Sequence, residues 1–312
     1  MREVEPTALV EEMHGAPSAP RWIDVSDPTP AELDTIASDL EWHALAREGL
    51  WAGQDRQRVQ SYPGSVLLQM LRPRVVDDEV TFDRLQAVVG ETSIVTVHDA
   101  CDDLIDSAAA DAGQRSDLGR NGAMGVVASL LDELLAAYDD AVGRIEDRVE
   151  SEESAVLLDQ RQGVQALQVT AATRTAVTRL RRASGQLREL IGVIVRRELL
   201  DSAHSGELDL ELRDVLDGVI RIHEDLDMLH DRMTSLADTR LAMIAYRQND
   251  ITKRLSGWGA ILIIPAIVTG WFGQNFHHLG ALGWTYGPEF SLALTVGAMV
   301  ALWLAFRRAG WL

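Results

Sequence analysis

Two long apolar segments near the end of the chain restrict its possible folds more than any other feature of the sequence. Residues 255–272 carry no charged side chain over 18 positions, and residues 290–306 carry none over 17. A helix of either length is about 26 Å long, close to the thickness of the hydrocarbon core of a bilayer. Lys253 and Arg254 precede the first segment, Arg307 and Arg308 follow the second, and tryptophans cluster around both. The pattern predicts two membrane-spanning helices.

The alternative is a pair of buried helices in a soluble core. Pro265 lies in the middle of the first segment, where a membrane helix tolerates proline better than a soluble one. The segment between the spans contains no lysine or arginine, whereas both outer flanks are basic. By the positive-inside rule, we expect both termini in the cytoplasm and the loop outside, in the inner or plasma membrane.

Charge is distributed unevenly along the chain. Residues 251–312 carry four basic side chains and one acidic side chain, a net charge of +3, whereas residues 1–250 carry 25 basic and 47 acidic side chains, a net charge of −22. An acidic body of this kind does not neutralise phosphates, which argues against nucleic acid as a partner. It attracts cations instead.

The motifs of common enzymes do not occur in the sequence. Lys253 is the only lysine and follows the residues NDIT, so the chain has no phosphate-binding loop of the GxxxxGK[ST] type and we expect no ATP hydrolysis. There is no nucleophile elbow, no HExxH and no CxxC motif, and Cys101 is the only cysteine. We therefore expect that the protein is not an enzyme.

The remaining sequence predicts a modular cytoplasmic part. Residues 1–20 have the composition of a disordered tail. Residues 21–115 predict an α/β domain, because strand-like runs at 22–25, 65–71, 79–82, 84–90 and 92–98 alternate with a helix capped by Thr29. Residues 122–203 predict a helical region.

A stalk helix is predicted over residues 208–254. Its heptad seam has the spacing of a coiled coil or bundle face and comprises Leu212, Val215, Val219, Ile222, Leu226, Leu229, Met233 and Leu236. No helix breaker separates this seam from the first apolar segment. The predicted order is then a first span at 255–276, an external loop at 277–289, a second span at 290–306 and a basic cytoplasmic tail at 307–312.

The first span ends in the polar stretch Gly273-Gln274-Asn275. Two spans cannot enclose a pathway within one chain, so a pore requires several copies around an axis. In such an assembly the stretch forms a ring at the outer mouth. Mg²⁺ loses its water reluctantly, and a ring of Asn275 amide oxygens can hold the hydrated ion through its waters. We predict that Gly273, Gln274 and Asn275 form a selectivity ring.

These residues carry a resemblance to the CorA family of divalent-cation transporters. The segment NDITKRLSGWGAILIIPAIVTGWFGQNF and the ending FRRAGWL resemble the family's first span and basic tail, and WIDVSDPT and IVTVHD resemble its amino-terminal domain. Gly-Gln-Asn is then a variant of the family's Gly-Met-Asn signature. The resemblance implies an α+β cytoplasmic domain with a long stalk helix and two C-terminal transmembrane helices, assembled as a funnel-shaped homopentamer.

The function that the resemblance implies is transport of Mg²⁺, with Co²⁺ or Ni²⁺ as further cargo, gated by cytosolic Mg²⁺. The membrane potential suffices as the driving force, because moving two charges through about 100 mV is worth about 4.6 kcal/mol. Gln274 replaces the family's methionine and His277 the usual acid. Since imidazole suits transition metals better than Mg²⁺, Zn²⁺ transport is an alternative, unless the histidines are ordinary loop residues. A further alternative is a membrane-anchored coiled-coil scaffold that conducts nothing.

The pore face follows from helical spacing back from Asn275. Steps of three or four residues give a small or weakly polar stripe made of Gly270, Ala266, Ile263, Gly259, Ser256, Thr252 and Asn249. Ile263 is the one bulky apolar member, and a hydrophobic constriction can gate by dewetting. Asn249 lies where the family has a second polar ring. Close helix packing by small residues is the alternative explanation of the stripe.

The resemblance also implies regulatory Mg²⁺ sites between subunits. Asp214 and Asp238 lie at the offsets from the signature where the family carries stalk carboxylates, and the partner in the α/β domain is Asp77, Asp78 or Asp83. The alternative is that these acids belong to an ordinary solvated surface.

Overall fold

The computed structural model of the chain describes residues 2–3, 21–51, 56–76, 79–91, 93–114, 118–157, 164–196, 206–273 and 285–312. It divides into two compact units, Met1–Ala237 and Asp238–Leu312.

The first unit contains a six-stranded mixed sheet in the order β1-β2-β6-β5-β4-β3. Strand β2 pairs in parallel with β6, and the other neighbours are antiparallel. The strands are β1 (Arg2–Glu3), β2 (Arg21–Ser26), β3 (Arg58–Tyr62), β4 (Ser65–Val76), β5 (Glu79–Gly90) and β6 (Ser93–His98).

Both faces of the sheet are covered, because alternate residues of a strand point to opposite sides. Leu67 and Val88 pack with helices α1 (Pro30–Asp39) and α2 (Ala44–Trp51) on one face. Leu68 and Leu85 pack with the long helices on the other. The predicted cap of α1 is confirmed, since the Thr29 amide donates to the Glu32 carboxylate at 2.9 Å and Pro30 is the first helical residue.

Two local sequence predictions differ from the structure. The runs at 79–82 and 84–90 are one strand, β5, because Asp83 pairs in register with Arg72 of β4 and its carboxylate meets the Arg74 guanidinium at 3.4 Å. Arg2 and Glu3, at the start of the predicted disordered tail, pair with β2 as strand β1. Residues 4–20 of that tail lie outside the described residues.

The other side of the first unit is a set of long packed helices. Helix α3 (Asp102–Gln114) precedes α4 (Leu118–Leu157), which is kinked at Gly122, where φ is +58°, and α5 (Val164–Arg196) follows. Helix α6 (Gly206–Phe272) completes the set with its first half. The predicted seam is confirmed, since every residue of it from Leu212 to Leu236 is buried in the cluster shared with α4 and α5.

The second unit contains the rest of α6 and helix α7 (Gly287–Arg308). Within the described residues, α6 and α7 are the two helices long and apolar enough to cross a membrane. Only 11 % of the most apolar window of α6 and none of that of α7 is buried. The core helices of a soluble protein would be mostly buried, so this exposure agrees with membrane spans.

Candidate ion pathway along the first span

The start of the first span contacts the end of the second helix and the residues that follow it. Gly257 is buried there, and a Cβ at this position would lie 3.4 Å from Leu312 Cδ2 and 3.7 Å from Phe306 Cδ2. Ile261, one turn further along α6, is also buried. The contact therefore joins the start of the first apolar segment to the end of the second.

The predicted pore-lining residues lie on the other side of α6. At 3.6 residues per turn, the centre of their stripe is about 150° from the packed face. All of them are exposed in the single chain: Asn249, Thr252, Ser256, Gly259, Ile263, Ala266 and Gly270. If the small residues serve helix packing instead, the described helices of this chain do not supply the partner, which points to a helix of another copy.

The glycines of the first span differ in how much space is available for a side chain at their positions. A Cβ added at Gly259 or Gly270 would have no heavy atom of the described residues within 4 Å, so the chain's own packing leaves room for a side chain. At Gly273 a Cβ would lie 2.9 Å from the Thr269 carbonyl oxygen, which also accepts the Gly273 amide at 2.8 Å. The last turn therefore requires glycine at position 273 for steric reasons.

Two threonine hydroxyls of α6, one just before the first span and one within it, bond to the helix backbone. Thr252 Oγ1 donates to the Gln248 carbonyl at 2.8 Å, and Thr269 Oγ1 donates to the Pro265 carbonyl at 2.7 Å. With its proton used in this way, the Thr252 hydroxyl offers only oxygen lone pairs, which a bare cation or the waters of a hydrated cation can use. Helix α6 continues through Pro265, although that residue has no amide hydrogen.

The rest of the predicted selectivity ring follows the last described residue of the first span. Gln274 and Asn275 lie outside the described residues, as do His277 and His278. The roles of these four residues therefore stay predictions from the sequence.

The two predicted regulatory carboxylates are exposed and separate. Asp214 lies on the part of α6 that belongs to the first unit, and Asp238 is the first residue of the second unit. The described residues contain no group of three or more His, Cys, Asp or Glu side chains that could hold a metal ion. Of the possible partners, Asp83 pairs with Arg74, whereas Asp77 and Asp78 lie outside the described residues.

Ion pairs join the buried half of α6 to its neighbours. Arg232 donates to both carboxylate oxygens of Glu153 in α4 at 2.9 and 3.1 Å, and these hydrogen bonds hold the pKa of Glu153 below its usual value. Arg181 of α5 pairs with Asp227 of α6. Bidentate contacts of this kind fix the register of packed helices more than they add stability.

The residues after α7 fold back onto the first span. Gly310 adopts φ +69°, its amide donates to the Arg307 carbonyl at 3.3 Å, and the Trp311 amide donates to the Phe306 carbonyl at 2.9 Å. These bonds form the Schellman arrangement that commonly ends a helix. The stacked rings of Phe306 and Trp311, with centroids 5.4 Å apart, supply its apolar contact. This turn places the Leu312 side chain against Gly257.

Comparison with known protein families shows to which family the chain belongs. The family model described as CorA-like Mg²⁺ transporter protein matches residues 18–308. This chain belongs to that family. Its fold agrees: the complete structure of the CorA magnesium transporter from Methanocaldococcus jannaschii superposes with a TM-score of 0.80 at 20 % identity, covering 97 % of this chain and 95 % of that one.

Two CorA-like relatives are similar in sequence. The Bacillus subtilis protein YfjQ, provisionally named a metal ion transporter, is 24 % identical over 93 % of this chain and 89 % of its own length. The cobalt/magnesium transport protein CorA of Thermotoga maritima is 26 % identical over 59 % of this chain and 51 % of its own length. The second match thus spans about half of that relative.

CorA-like membership confirms the fold class predicted from the sequence, an α+β domain with a long helix and two C-terminal apolar helices. It also places the chain among ion transporters of membranes and not among enzymes. The contact of Leu312 with Gly257 was not predicted from the sequence. The sequence does contain a signal for the turn that makes this contact, since Gly310 follows the last helical residues and Phe306 and Trp311 have the Schellman spacing.

Proposed function

We propose that this CorA-like protein is a homopentameric channel that carries Mg²⁺ across the inner or plasma membrane, driven by the membrane potential. The observation that supports it best is the exposed stripe of small and weakly polar residues on α6. The stripe faces away from α7 and leads to Gly273 and the Gln274-Asn275 pair. A stripe that the described part of the chain leaves uncovered suits a surface shared among copies around an axis.

The proposed orientation puts both termini in the cytoplasm. The basic residues at the start of the first span and the end of α7 then face the cytoplasm, and the Gly273-Gln274-Asn275 ring lies at the outer mouth. An inside-negative potential of about 100 mV favours inward movement of a divalent ion by about 4.6 kcal/mol. No ATP is needed for uptake.

In this proposal, ion selection and pore closure are carried out by different residues along the pore-lining stripe of α6. The Asn275 amide oxygens bind the hydrated ion through its waters, because removing those waters from Mg²⁺ is costly. Asn249 forms a second polar ring at the cytoplasmic end, and Ile263 forms the apolar constriction that closes the pore by dewetting. Thr252, Ser256, Gly259, Ala266 and Gly270 line the path between them.

Cytosolic Mg²⁺ is the proposed gating ligand. Asp214 and Asp238, exposed in the single chain, would each face a carboxylate of a neighbouring subunit. Bound Mg²⁺ replaces their mutual repulsion by attraction and favours the closed pentamer. Because a ligand shifts an equilibrium only through its differential affinity, these sites must be deformed in the open state.

Zn²⁺, Co²⁺ or Ni²⁺ is the alternative cargo. It is favoured by Gln274 in place of the family's methionine and by the side chains of His277 and His278, because imidazole suits borderline-soft metals. Uptake of each metal by the same vesicles distinguishes the alternatives. If the departure at position 274 matters, Gln274→Met shifts the preference towards Mg²⁺.

The test is uptake by vesicles that contain the purified protein and an Mg²⁺-sensitive dye, under an inside-negative potential. Wild type should take up Mg²⁺, Asn275→Ala should abolish uptake while still inserting and assembling, and the control Thr285→Ala, near the same end of the spans, should behave as wild type. Full uptake by Asn275→Ala would refute the selectivity ring. Absence of uptake by every variant, or a dimer in detergent, would favour the non-conducting scaffold.

A further inference from the structure

A cavity in the first unit has no role in the proposed ion pathway. It has a volume of about 470 Å³ and lies between the end of strand β4 and helices α3 and α4. Sites for small organic molecules range from about 300 to about 1,000 Å³, so this β4–α4 cleft is large enough for such a ligand. Three arginines line it, Arg72, Arg74 and Arg144, although residues 1–250 carry a net charge of −22.

Two of these arginines have N–H donors to spare. The Arg74 guanidinium, on β4, lies 3.4 Å from the Asp83 carboxylate, and the Arg144 guanidinium, on α4, lies 2.9 Å from the Asp140 carboxylate, each through its Nε atom. Both side chains are exposed and have no other ion-pair partner among the described residues. A guanidinium carries five N–H donors, more than one carboxylate uses. Because the two arginines stand on different walls of the cleft, they can bind one anionic group from two sides.

Arg72 and Ser107 also line the cleft. Arg72 donates to both carboxylate oxygens of Asp103 and, at 3.3 Å, to the Ala100 carbonyl, so its charge is matched and its position is fixed. The Ser107 hydroxyl of α3 is exposed and makes no hydrogen bond within the described part of the chain. It is a further donor for an anionic ligand.

One carboxylate of the cleft has no cation beside it. The other two carboxylates of the lining pair with arginines, whereas Glu133 makes no ion pair or hydrogen bond with any described residue. Burial and the nearby carboxylates of Asp111 and Asp132 raise the pKa of Glu133. A second anionic group is therefore unfavourable beside Glu133, whereas an N–H or O–H group can donate a hydrogen bond to it.

The anion-binding arginines and Glu133 lie at different ends of the cleft. Glu133 and Arg144 are 11 positions apart on α4, which corresponds to about 16 Å along the helix axis. Between them, Ala136 and Ala137 line the cleft and leave room for a ligand. The rest of the lining is apolar and comprises Pro73, Val75, Val76 and Leu104. The cleft therefore suits an elongated ligand with an anionic group at one end, an apolar surface, and a hydrogen-bond donor at the other end.

We propose that the β4–α4 cleft binds a nucleotide. Its phosphate lies between Arg74 and Arg144, its base contacts the apolar lining, and Glu133 accepts a hydrogen bond from an N–H or O–H group of the nucleoside. A free divalent cation does not suit the cleft, because three guanidinium groups repel it. The proposal depends neither on which metal ion is carried nor on the number of copies around the pore.

The test is titration calorimetry of the full chain in detergent, with AMP as the probe. Wild type should bind AMP saturably and more tightly than inorganic phosphate, which lacks the apolar contacts and the donor to Glu133. Arg74→Gln and Arg144→Gln should each weaken AMP binding about tenfold or more, since a hydrogen bond to a charged group contributes about that factor. Arg144→Lys should retain more of the affinity than Arg144→Gln, because the charge remains.

The matched control removes two exposed arginines that do not line the cleft. Arg174 and Arg182 of α5 have no ion-pair partner among the described residues, so Arg174→Gln with Arg182→Gln should retain AMP binding. Ala136→Phe fills the cleft without changing a charge and should abolish binding. Because Ala136 is exposed, this variant should fold, and its unfolding midpoint verifies this.

Wild-type AMP affinity in both arginine variants, or in Ala136→Phe, would overturn the proposal, as would the absence of AMP binding by wild type. An equal loss in the Arg174/Arg182 control would overturn it too, because the attraction would then follow from the total charge. If inorganic phosphate binds as tightly as AMP, the cleft is a site for a free anion and not for a nucleotide.

Discussion

Helix α6 is one continuous helix with two different surroundings. From Leu212 to Leu236 its seam residues are 0–6 % exposed and pack with α4 and α5. In the first span, apolar side chains such as Leu255 and Trp271 are 73 % and 65 % exposed. The first half has one apolar stripe, as helices at an aqueous surface do, whereas the second half is apolar nearly all round, as membrane helices are. The same element is therefore built for protein contacts at one end and for lipid or sister helices at the other.

The second half is itself divided into faces. Gly257 and Ile261 are buried on one face, the bulky Leu255, Trp258 and Leu262 are exposed on one flank, and the small stripe of Ser256, Gly259 and Ala266 is exposed on another. Bulky flanks suit lipid tails, and small residues permit close approach of helices or a narrow polar path. Substitutions in matched pairs, one on each kind of surface, test this division.

The largest difference in stability between two matched substitutions should occur in the buried half of α6. Leu226→Ala removes a side chain that is fully buried in the seam, and the cost of such a truncation is about 2–5 kcal/mol. The nearby Met228 has a side chain that is 57 % exposed. Met228→Ala should therefore change the stability by no more than about 0.5 kcal/mol. Thermal unfolding of the full chain in detergent measures both. Equal shifts of the midpoint would mean that another copy covers Met228.

The next comparison is between a buried and an exposed isoleucine of the first span. Ile261→Ala removes a side chain that is only 3 % exposed and should lower the unfolding midpoint, although by less than the seam variant, because lipid tails solvate the exposed surface about as well as protein contacts do. Ile263→Ala should leave the midpoint nearly unchanged. If Ile263 forms the constriction, Ile263→Gly should raise the leak of Mg²⁺ through vesicles at high internal Mg²⁺. Unchanged leak would mean that another face of α6 lines the pore.

Sequence periodicity was sufficient for α6 because its two patterns are long. The seam repeats over eight buried positions, and the charge-free segments are as long as a bilayer is thick. Periodicity failed for β5, where Asp83 suggested a break that pairing with Arg72 and Arg74 removes. The pairing of strands and the contact of Leu312 with Gly257 depend on which elements lie next to each other in the folded chain. The periodicity of a single sequence does not specify these neighbours. The selectivity ring remains a prediction, since Gln274 and Asn275 lie outside the described residues.

A third contrast concerns glycine at the end of the first span. Gly273→Ala places a methyl group 2.9 Å from the Thr269 carbonyl oxygen, so the last turn must shift. Any residue that follows it, including Asn275, should shift as well. We expect slower Mg²⁺ uptake for Gly273→Ala at unchanged expression and oligomeric state. Gly270→Ala meets no heavy atom of the described residues within 4 Å and should fold normally, so a loss of uptake there would indicate contact with another copy or with the ion path.

The smallest expected effect tests how α6 is held in its buried half. Arg232→Gln removes the bidentate pair with Glu153, and a pair this close to the surface contributes at most about 1 kcal/mol. The hydrogen bonds from Arg232 hold the pKa of Glu153 below its usual value, so the folded state favours the charged carboxylate. The contribution is thus fully present above the pKa of Glu153 in the unfolded chain and is lost as pH falls through its pKa in the folded chain.

The difference in unfolding midpoint between wild type and Arg232→Gln should therefore be constant near neutral pH and disappear in acid. Arg144→Gln breaks an exposed pair with Asp140 within α4 and serves as the control, with a smaller difference expected at neutral pH. A difference for Arg232→Gln that persists unchanged in acid would mean that the side chain stabilises the helices through packing of its aliphatic stem rather than through its charge.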